Sequence, residues 1–158
     1  MRDTHLNWKW GEVCPISART PTSAEVRIGQ MLFLNDRNEA VPASFFDSDR
    51  TLTKERRQKL FRDRFLGVSM QRSPIYKDNP VRIATRGVFE FKLAYVPPEP
   101  LLLGQYFTSA LTDRGRFEDR VVETCSPEVG IMRLIHTENV PYGKVYVAIR
   151  STITERWD

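Results

Sequence analysis

Short apolar runs separated by turn-forming residues extend along most of the chain after residue 24. Many short strands at even spacing, with Gly, Pro, Asn or Asp between them, are typical of a β-sandwich or small barrel. The pattern therefore predicts a mainly β fold, a small β-barrel or β-tulip. The predicted strands are 25–34, 68–71, 81–85, 88–95, 106–110, 121–124, 130–136 and 144–153.

One segment departs from the strand pattern and predicts a single helix over about 53–65. Thr53 is a suitable N-cap residue, because its hydroxyl can accept a hydrogen bond from a free backbone N–H of the first turn. Leu60, Phe61 and Phe65 form the apolar stripe of this helix, and basic residues occupy the rest of its surface. We expect the stripe to face the barrel.

Short phrases recur along the chain in the same order, each set beginning with a Gly-Gln pair. Matching Gly67 with Gly130 gives an offset of 63 residues, whereas the Gly-Gln pairs are 75 residues apart. The first copy thus holds 12 extra residues, where the predicted helix lies. This arrangement predicts an internal two-fold repeat of a β unit with one inserted helix. The phrases are Ile28–Leu34, Phe65–Met70 and Val81–Arg86 in the first copy, and Leu103–Thr108, Glu128–Arg133 and Lys144–Arg150 in the second.

The N-terminal segment differs from the rest in composition. Proline and small polar residues in residues 1–24 disfavour a helix, and Trp8 and Trp10 alternate with polar neighbours. We interpret residues 1–24 as an extended N-terminal arm and 25–158 as a single β-barrel domain. The two tryptophans either belong to a strand on their own domain or dock on another subunit, since Trp is enriched in interface anchors.

The positive charge of the chain belongs to one segment. The 158 residues carry a net charge of +4, of which residues 50–64 supply +5 and the remainder −1. Arg56, Lys59 and Arg62 are therefore candidate contacts for an acidic protein surface or for nucleic acid. No apolar run reaches the length of a membrane span, and no signal peptide is evident, so we expect a cytoplasmic origin and no membrane partner.

Residues with catalytic or metal-binding chemistry are sparse. His5 and His136 have no metal-ligand partners at a recognisable spacing, and phosphate-binding loops and nucleophile motifs are absent. We expect a protein that is not an enzyme and needs no cofactor or metal. Cys14 and Cys125 are isolated thiols; we expect two buried small side chains, although pairing in a disulfide stays open.

The ordered phrases, beginning Gly-Gln-Met-Leu-Phe-Leu-Asn-Asp and ending Gly-Lys-Val-Tyr-Val-Ala-Ile-Arg, resemble those of the small capsid decoration (cement) proteins of tailed phages. The resemblance covers about residues 25–153. Gln30 and Gln105 stand where that group has an acidic residue. The resemblance implies a compact trimeric β protein on the outer surface of an icosahedral capsid, where it clamps adjacent subunits.

Several expectations follow from this resemblance. The partners would be the major capsid protein and other copies of the chain, in a homotrimer, and the protein would be made in the host cytoplasm and located on the virion. Trp8, Trp10, Arg56, Lys59 and Arg62 are the candidate residues of the capsid or subunit interface. The alternative is a small β-barrel that binds single-stranded nucleic acid through the basic helix, although no aromatic residues interleave its cations, which makes nucleic acid the weaker candidate.

Overall fold

The computed structural model describes residues 8–74, 80–136 and 142–154, without the side chain of His136. Within these residues, eleven strands form two antiparallel sheets, accompanied by one α-helix and one short 3₁₀ turn, Ala43–Phe45. The predicted mainly β fold is confirmed. The elements are β1 (Trp8–Trp10), β2 (Ile16–Ala18), β3 (Met31–Leu34), β4 (Ala40–Pro42), α1 (Lys54–Arg62), β5 (Phe65–Ser69), β6 (Val81–Ala84), β7 (Arg86–Lys92), β8 (Tyr106–Leu111), β9 (Phe117–Thr124), β10 (Met132–His136) and β11 (Lys144–Arg150).

Ten of the strands form two consecutive units of five with one shared topology. The first unit has the order β2-β6-β5-β3-β4 and the second has the order β7-β11-β10-β8-β9, so equivalent strands occupy equivalent places. All neighbouring strands in both units are antiparallel. The predicted internal repeat is therefore present in strand order and direction. The remaining strand, β1, pairs with β7 at the edge of the second sheet.

The residue correspondence between the units differs from the one that the sequence suggested. Gly67 lies opposite Leu32 in the first unit, and Met132 lies opposite Phe107 at the same place in the second. Gly67 thus corresponds to Met132 and not to Gly130, which lies in the loop before β10. The error arises because bulges shift the register within the sheets, which a fixed offset along the chain cannot represent.

The recurring Gly-Gln pairs have the same structural role in both units. Gly29 and Gly104 have φ angles of 86° and 80°, a left-handed conformation that glycine adopts without strain. The side-chain oxygen of each Gln then accepts a hydrogen bond from the backbone N–H three residues earlier, Gln30 from Arg27 at 2.8 Å and Gln105 from Leu102 at 3.1 Å. The repeated dipeptide therefore fixes the turn that leads into the first hairpin of each unit.

Each five-stranded sheet curls until its outer strands meet. In the first unit, the N–H of Ala40 in β4 donates to the carbonyl of Arg19, just after β2, at 2.7 Å. In the second unit, the N–H of Ala94, just after β7, donates to the carbonyl of Val121 in β9 at 2.9 Å. The two units are thus barrel-like, each drawn together by a backbone hydrogen bond at equivalent strands.

The segment interpreted as an N-terminal arm is extended, but its described part belongs to the domain. Strands β1 and β2 add to the edges of the two sheets, and the carbonyl of Val13 between them accepts the N–H of Thr85 at 2.9 Å. Extended chain beside a sheet edge satisfies backbone groups that would otherwise lack partners. Residues 8–24 are therefore not a separate arm, and residues 1–7 lie outside the described residues.

The helix α1 begins as predicted and ends earlier. The Thr53 hydroxyl accepts the N–H of Arg56 at 3.2 Å, which confirms the N-cap. The helix stops at Arg62, and Phe65 already belongs to β5, because a tight turn after Phe61 returns the chain to the sheet. Of the predicted stripe, Phe61 and Phe65 are fully buried whereas Leu60 is half-buried.

An aromatic cluster joins the helix to both units. The ring of Phe61 stacks on Phe117 of β9, with centroids 4.8 Å apart and planes inclined by 18°. Phe33 of β3 contacts the same Phe61 ring from the first unit at 6.3 Å, and Phe46 lies 5.3 Å from it. All four rings belong to the main core, which contains residues of both sheets. The inserted helix therefore seals the junction between the units.

A single carboxylate also crosses this junction. Asp119 of β9 accepts the N–H of Met31 in β3 at 2.8 Å and is hydrogen-bonded to Gln30. Loss of water around its carboxyl, together with the charge of Glu118, raises the pKa of Asp119 to about 6, although the two hydrogen bonds favour the ionised form. The residue keeps part of its surface exposed, so the cost of ionisation is smaller than for a fully buried carboxyl.

We predict that Phe61→Ala lowers the free energy of unfolding by about 3–5 kcal/mol, because it empties the centre of the aromatic cluster. Phe45→Ala is the matched control, since this ring is 54% exposed and should change stability by less than about 0.5 kcal/mol. Urea unfolding followed by fluorescence measures both. A loss below about 1 kcal/mol in Phe61→Ala would mean that α1 is not docked as described.

We predict that Asp119→Asn removes a pH-dependent loss of stability. The folded-state pKa of about 6 exceeds the ordinary value of 3.8, so the protein should lose stability as the pH rises between them. The variant should therefore match the wild type below this range and be more stable above it. Urea unfolding at pH values on either side tests this, with the exposed Asp113→Asn as control; a variant less stable only at the higher pH contradicts it.

Candidate interaction surface

A row of five residues crosses the outward face of the six-stranded sheet. Directly opposed residues on neighbouring strands point to the same face of a sheet. Arg133 is exposed, Trp10 is 42% exposed, and Tyr106 and Ala148 are half-buried, so most of the row is accessible. We call it the outer row: Tyr106, Arg133, Ala148, Val88 and Trp10, on β8, β10, β11, β7 and β1.

The equivalent row of the first unit is fully buried. Met31, Val68 and Ala84 lie opposite one another on β3, β5 and β6, at the places that Tyr106, Arg133 and Ala148 hold in the second unit. These three residues are 0% exposed and belong to the core shared by the two units. One face is thus an internal interface in the first unit and a solvent-facing surface in the second.

An aromatic and charged cluster forms the β1 end of this face. The rings of Trp10 and Tyr146 meet edge to face with centroids 6.0 Å apart, and the ammonium of Lys9 lies 5.3 Å from the Tyr146 ring. Glu90 pairs with Lys9 at 3.0 Å and with Lys144 at 2.7 Å. Burial tends to raise the pKa of Glu90, but the two lysines outweigh it and hold the pKa below its usual range. We call this cluster the tryptophan edge.

A groove of about 980 Å³ lies at the other end, between the end of α1 and strands β10 and β11. The guanidinium of Arg133 lies over the Tyr106 ring at 5.0 Å and donates to the carbonyl of Gly104 at 3.2 Å. Arg62 donates to the carbonyl of Gly130, also at 3.2 Å. Both arginines thus bind neutral groups and form no ion pair with the described residues. We call this concavity the arginine groove; Arg86 and Arg150 also line it.

The two predicted tryptophans do not share one face. Trp8 lies opposite Phe89 and Trp10 lies opposite Val88, which are adjacent residues on opposite faces of β7. A bulge at Lys9 causes this, since it adds one residue to β1 without a partner on β7. Trp8 is 45% exposed and its indole N–H donates to the carbonyl of Gly11. Only Trp10 belongs to the outer row.

The predicted basic residues of the helix separate into different environments. Arg56 is exposed, the ammonium of Lys59 lies 3.8 Å from Glu128, and Arg62 lines the arginine groove. Arg57, expected on the surface, is instead buried and donates to Ser48 at 2.8 Å and to a backbone carbonyl. The helix is therefore less basic on its outer surface than its sequence suggests.

Sequence reasoning missed Tyr106, Arg133 and Tyr146, although one signal was available. Strand β11 alternates polar or small residues with Val and Ile, which is the pattern of a strand with one solvent-facing side. Reading that alternation across neighbouring strands would have placed Tyr146 on an open face. The pairing of Tyr106 with Arg133 required the register, which the sequence does not contain.

Exposed apolar side chains border the arginine groove. Leu103 is 66% exposed and Ile135 is 42% exposed, and both line the groove, while neighbouring Leu102 is 71% exposed. Monomeric proteins rarely expose contiguous large apolar groups without an interaction role. The groove thus combines cationic and apolar groups, a composition typical of protein interfaces.

Reactive groups are dispersed over the described part of the chain. No three His, Cys, Asp or Glu residues among those described are arranged to hold a metal ion. Cys14 is half-buried and Cys125 is exposed, both as free thiols, so the expected burial of both is wrong. Cys125 follows the edge strand β9, where no neighbouring strand covers it. His5 lies outside the described residues, as does the side chain of His136.

Comparison of the chain with protein-family models, curated proteins and solved structures gave no match. No helix among the described residues is long and apolar enough to cross a membrane. The function must therefore be argued from the surface itself.

We predict that Glu90→Gln loosens β1 from the second sheet, because the variant loses the ion pairs with Lys9 and Lys144. Amide hydrogen exchange in residues 8–10 should accelerate roughly two- to fivefold, as expected for weakened ion pairs at a partly exposed site. Glu25→Gln is the matched control, since Glu25 also contacts two arginines but lies in the first unit. Unchanged exchange in residues 8–10 of Glu90→Gln would contradict the described role of Glu90.

Proposed function

We propose that this protein is a structural virion protein that binds the outer surface of an icosahedral phage capsid. In this role it stabilises the shell by clamping adjacent major capsid subunits, as a homotrimer. The observation that carries the proposal is the outward face of the six-stranded sheet, which presents half-exposed aromatic side chains on rigid strands. The resemblance of the recurring phrases to phage decoration proteins supplies the class of partner.

The tryptophan edge suits adhesion to another protein. Tryptophan and tyrosine are enriched among residues that contribute most to binding, because they bury a large area with few rotatable bonds. Trp10 and Tyr146 contact each other and are held in place by the paired charges around Glu90. A partner would therefore meet an ordered surface and lose little conformational entropy on binding.

The repeating geometry of a capsid would strengthen such a contact. Many copies of one modest interface act together on an assembled lattice, and a trimer engages three sites at once. Arg56 and Lys59 on α1 are the candidate contacts for acidic groups of the major capsid protein, with Trp10 as the apolar anchor. The protein would be made in the host cytoplasm and reach the virion by binding the shell.

The second candidate function, binding of single-stranded nucleic acid, is favoured by one observation. Trp10, Tyr146 and Tyr106 lie on an open sheet face beside cationic side chains, and bases can stack on such rings. The charges argue against it, because Glu90 neutralises Lys9 and Lys144. A protein surface with mixed charge is therefore the better partner.

We predict that Trp10→Ala weakens binding to undecorated shells assembled from the major capsid protein of the same genome. Removal of a central aromatic anchor costs about 2 kcal/mol, roughly a thirtyfold rise in Kd. Tyr95→Ala is the control, since this ring is 53% exposed but lies away from the tryptophan edge. Co-sedimentation with shells over a range of protein concentrations measures both.

Two outcomes would count against the proposal. Wild-type protein that does not sediment with these shells would exclude the capsid function. Tight binding of a generic single-stranded oligonucleotide that weakens steeply with salt and is lost in Trp10→Ala would favour the nucleic-acid alternative.

A further inference from the structure

We infer that the arginine groove binds a second copy of this chain, which inserts the β3–β4 hairpin of its first unit. The inference deepens the homotrimer part of the proposed function and rests on it only for the number of copies. The occupant is argued from the internal repeat and from charge.

The chain already contains one contact of this kind between its two units. Inside the chain, Asp119 of the second unit's β8–β9 strand pair accepts the N–H of Met31, at the start of the buried row. By the matching registers, the β3–β4 hairpin is the first unit's counterpart of β8–β9, and Tyr106 is the second unit's counterpart of Met31. Repeating the internal contact between molecules therefore brings a neighbour's β3–β4 hairpin to Tyr106.

The region around the β3–β4 hairpin has the charge that the groove requires. A hollow of about 1040 Å³ lies there, which we call the acidic hollow; five acidic residues and two arginines line it. Four arginines and one aspartate line the arginine groove. Asp36, at the hairpin tip, has a side chain that is 89% exposed, and Asp47 is also exposed. Arg62 and Arg133 lack ion pairs among the described residues and would gain acidic partners.

Apolar groups match as well. The groove presents Leu103 and Ile135, and the hollow presents Phe45, which is 54% exposed. Association would remove all three from water, a favourable contribution that charge pairing alone does not supply. Because the two contact surfaces differ, the interface is head to tail, and such contacts produce rings when the rotation between copies closes.

The test compares association of the full chain with that of charge-reversed variants. Sedimentation velocity of the wild type over a range of concentrations should reveal a reversible oligomer. Arg62→Glu with Arg133→Glu, or separately Asp36→Lys with Asp47→Lys, should raise the dissociation constant at least about tenfold, since like charges would then face each other. Arg82→Glu and Asp113→Lys are the controls, both exposed and outside the two concavities.

Mixing the two reversed variants provides the decisive measurement. Each retains one native surface that is complementary to the native surface of the other, so the mixture should associate where each variant alone does not. Leu103→Asp gives a second route to the same surface if the Arg133 variant unfolds, and thermal unfolding by circular dichroism checks every variant.

A wild type that stays monomeric at its highest soluble concentration would overturn the inference, as would reversed variants that associate as the wild type does. The result is separable from the capsid proposal. Loss of shell binding with an intact oligomer would contradict the proposed function alone, and a monomer that still binds shells would contradict this inference alone.

Discussion

The stacking of Phe61 on Phe117 is the contact on which the rest of the structure depends. The two units share one strand order, so by themselves they would present equivalent faces to solvent. Helix α1 lies in the connection between β4 and β5, where the second unit has only a short loop. Its Phe61 reaches β9 of the second unit and closes one of the two faces. The insertion therefore creates the asymmetry of the molecule.

The parts of the fold that were predictable from sequence are those written in local chemistry. Thr53 could be recognised as an N-cap, and the Gly-Gln pairs mark turns that each need a left-handed glycine. The N-terminal strands could not be recognised, because the edges that pair with them exist only after the sheets have formed. Likewise, the match of Gly67 to Met132 depends on bulges that no fixed spacing reveals.

The candidate site shows the same division. Arg62 was predicted as an interface residue from the charge of its segment, and the structure brings it to the groove that Arg133 also lines. The burial of Arg57 was not predictable, because its guanidinium is held by the carbonyl of Gly115, which is 58 residues away in the chain. Charge along a sequence therefore indicates that a basic surface exists but not which cations remain on it.

The composition of the two equivalent rows indicates when each is covered. Met31, Val68 and Ala84 are apolar, as a surface sealed during folding requires. The residues at the same places in the second unit are Tyr106, Arg133 and Ala148, which are compatible with water yet offer an aromatic ring and a guanidinium. Surfaces that are first solvated and later bound combine these properties, since they must keep the free protein soluble and still release apolar area on contact. The outer row therefore fits an interface that forms after the chain has folded, which is the order of events that assembly onto a shell demands.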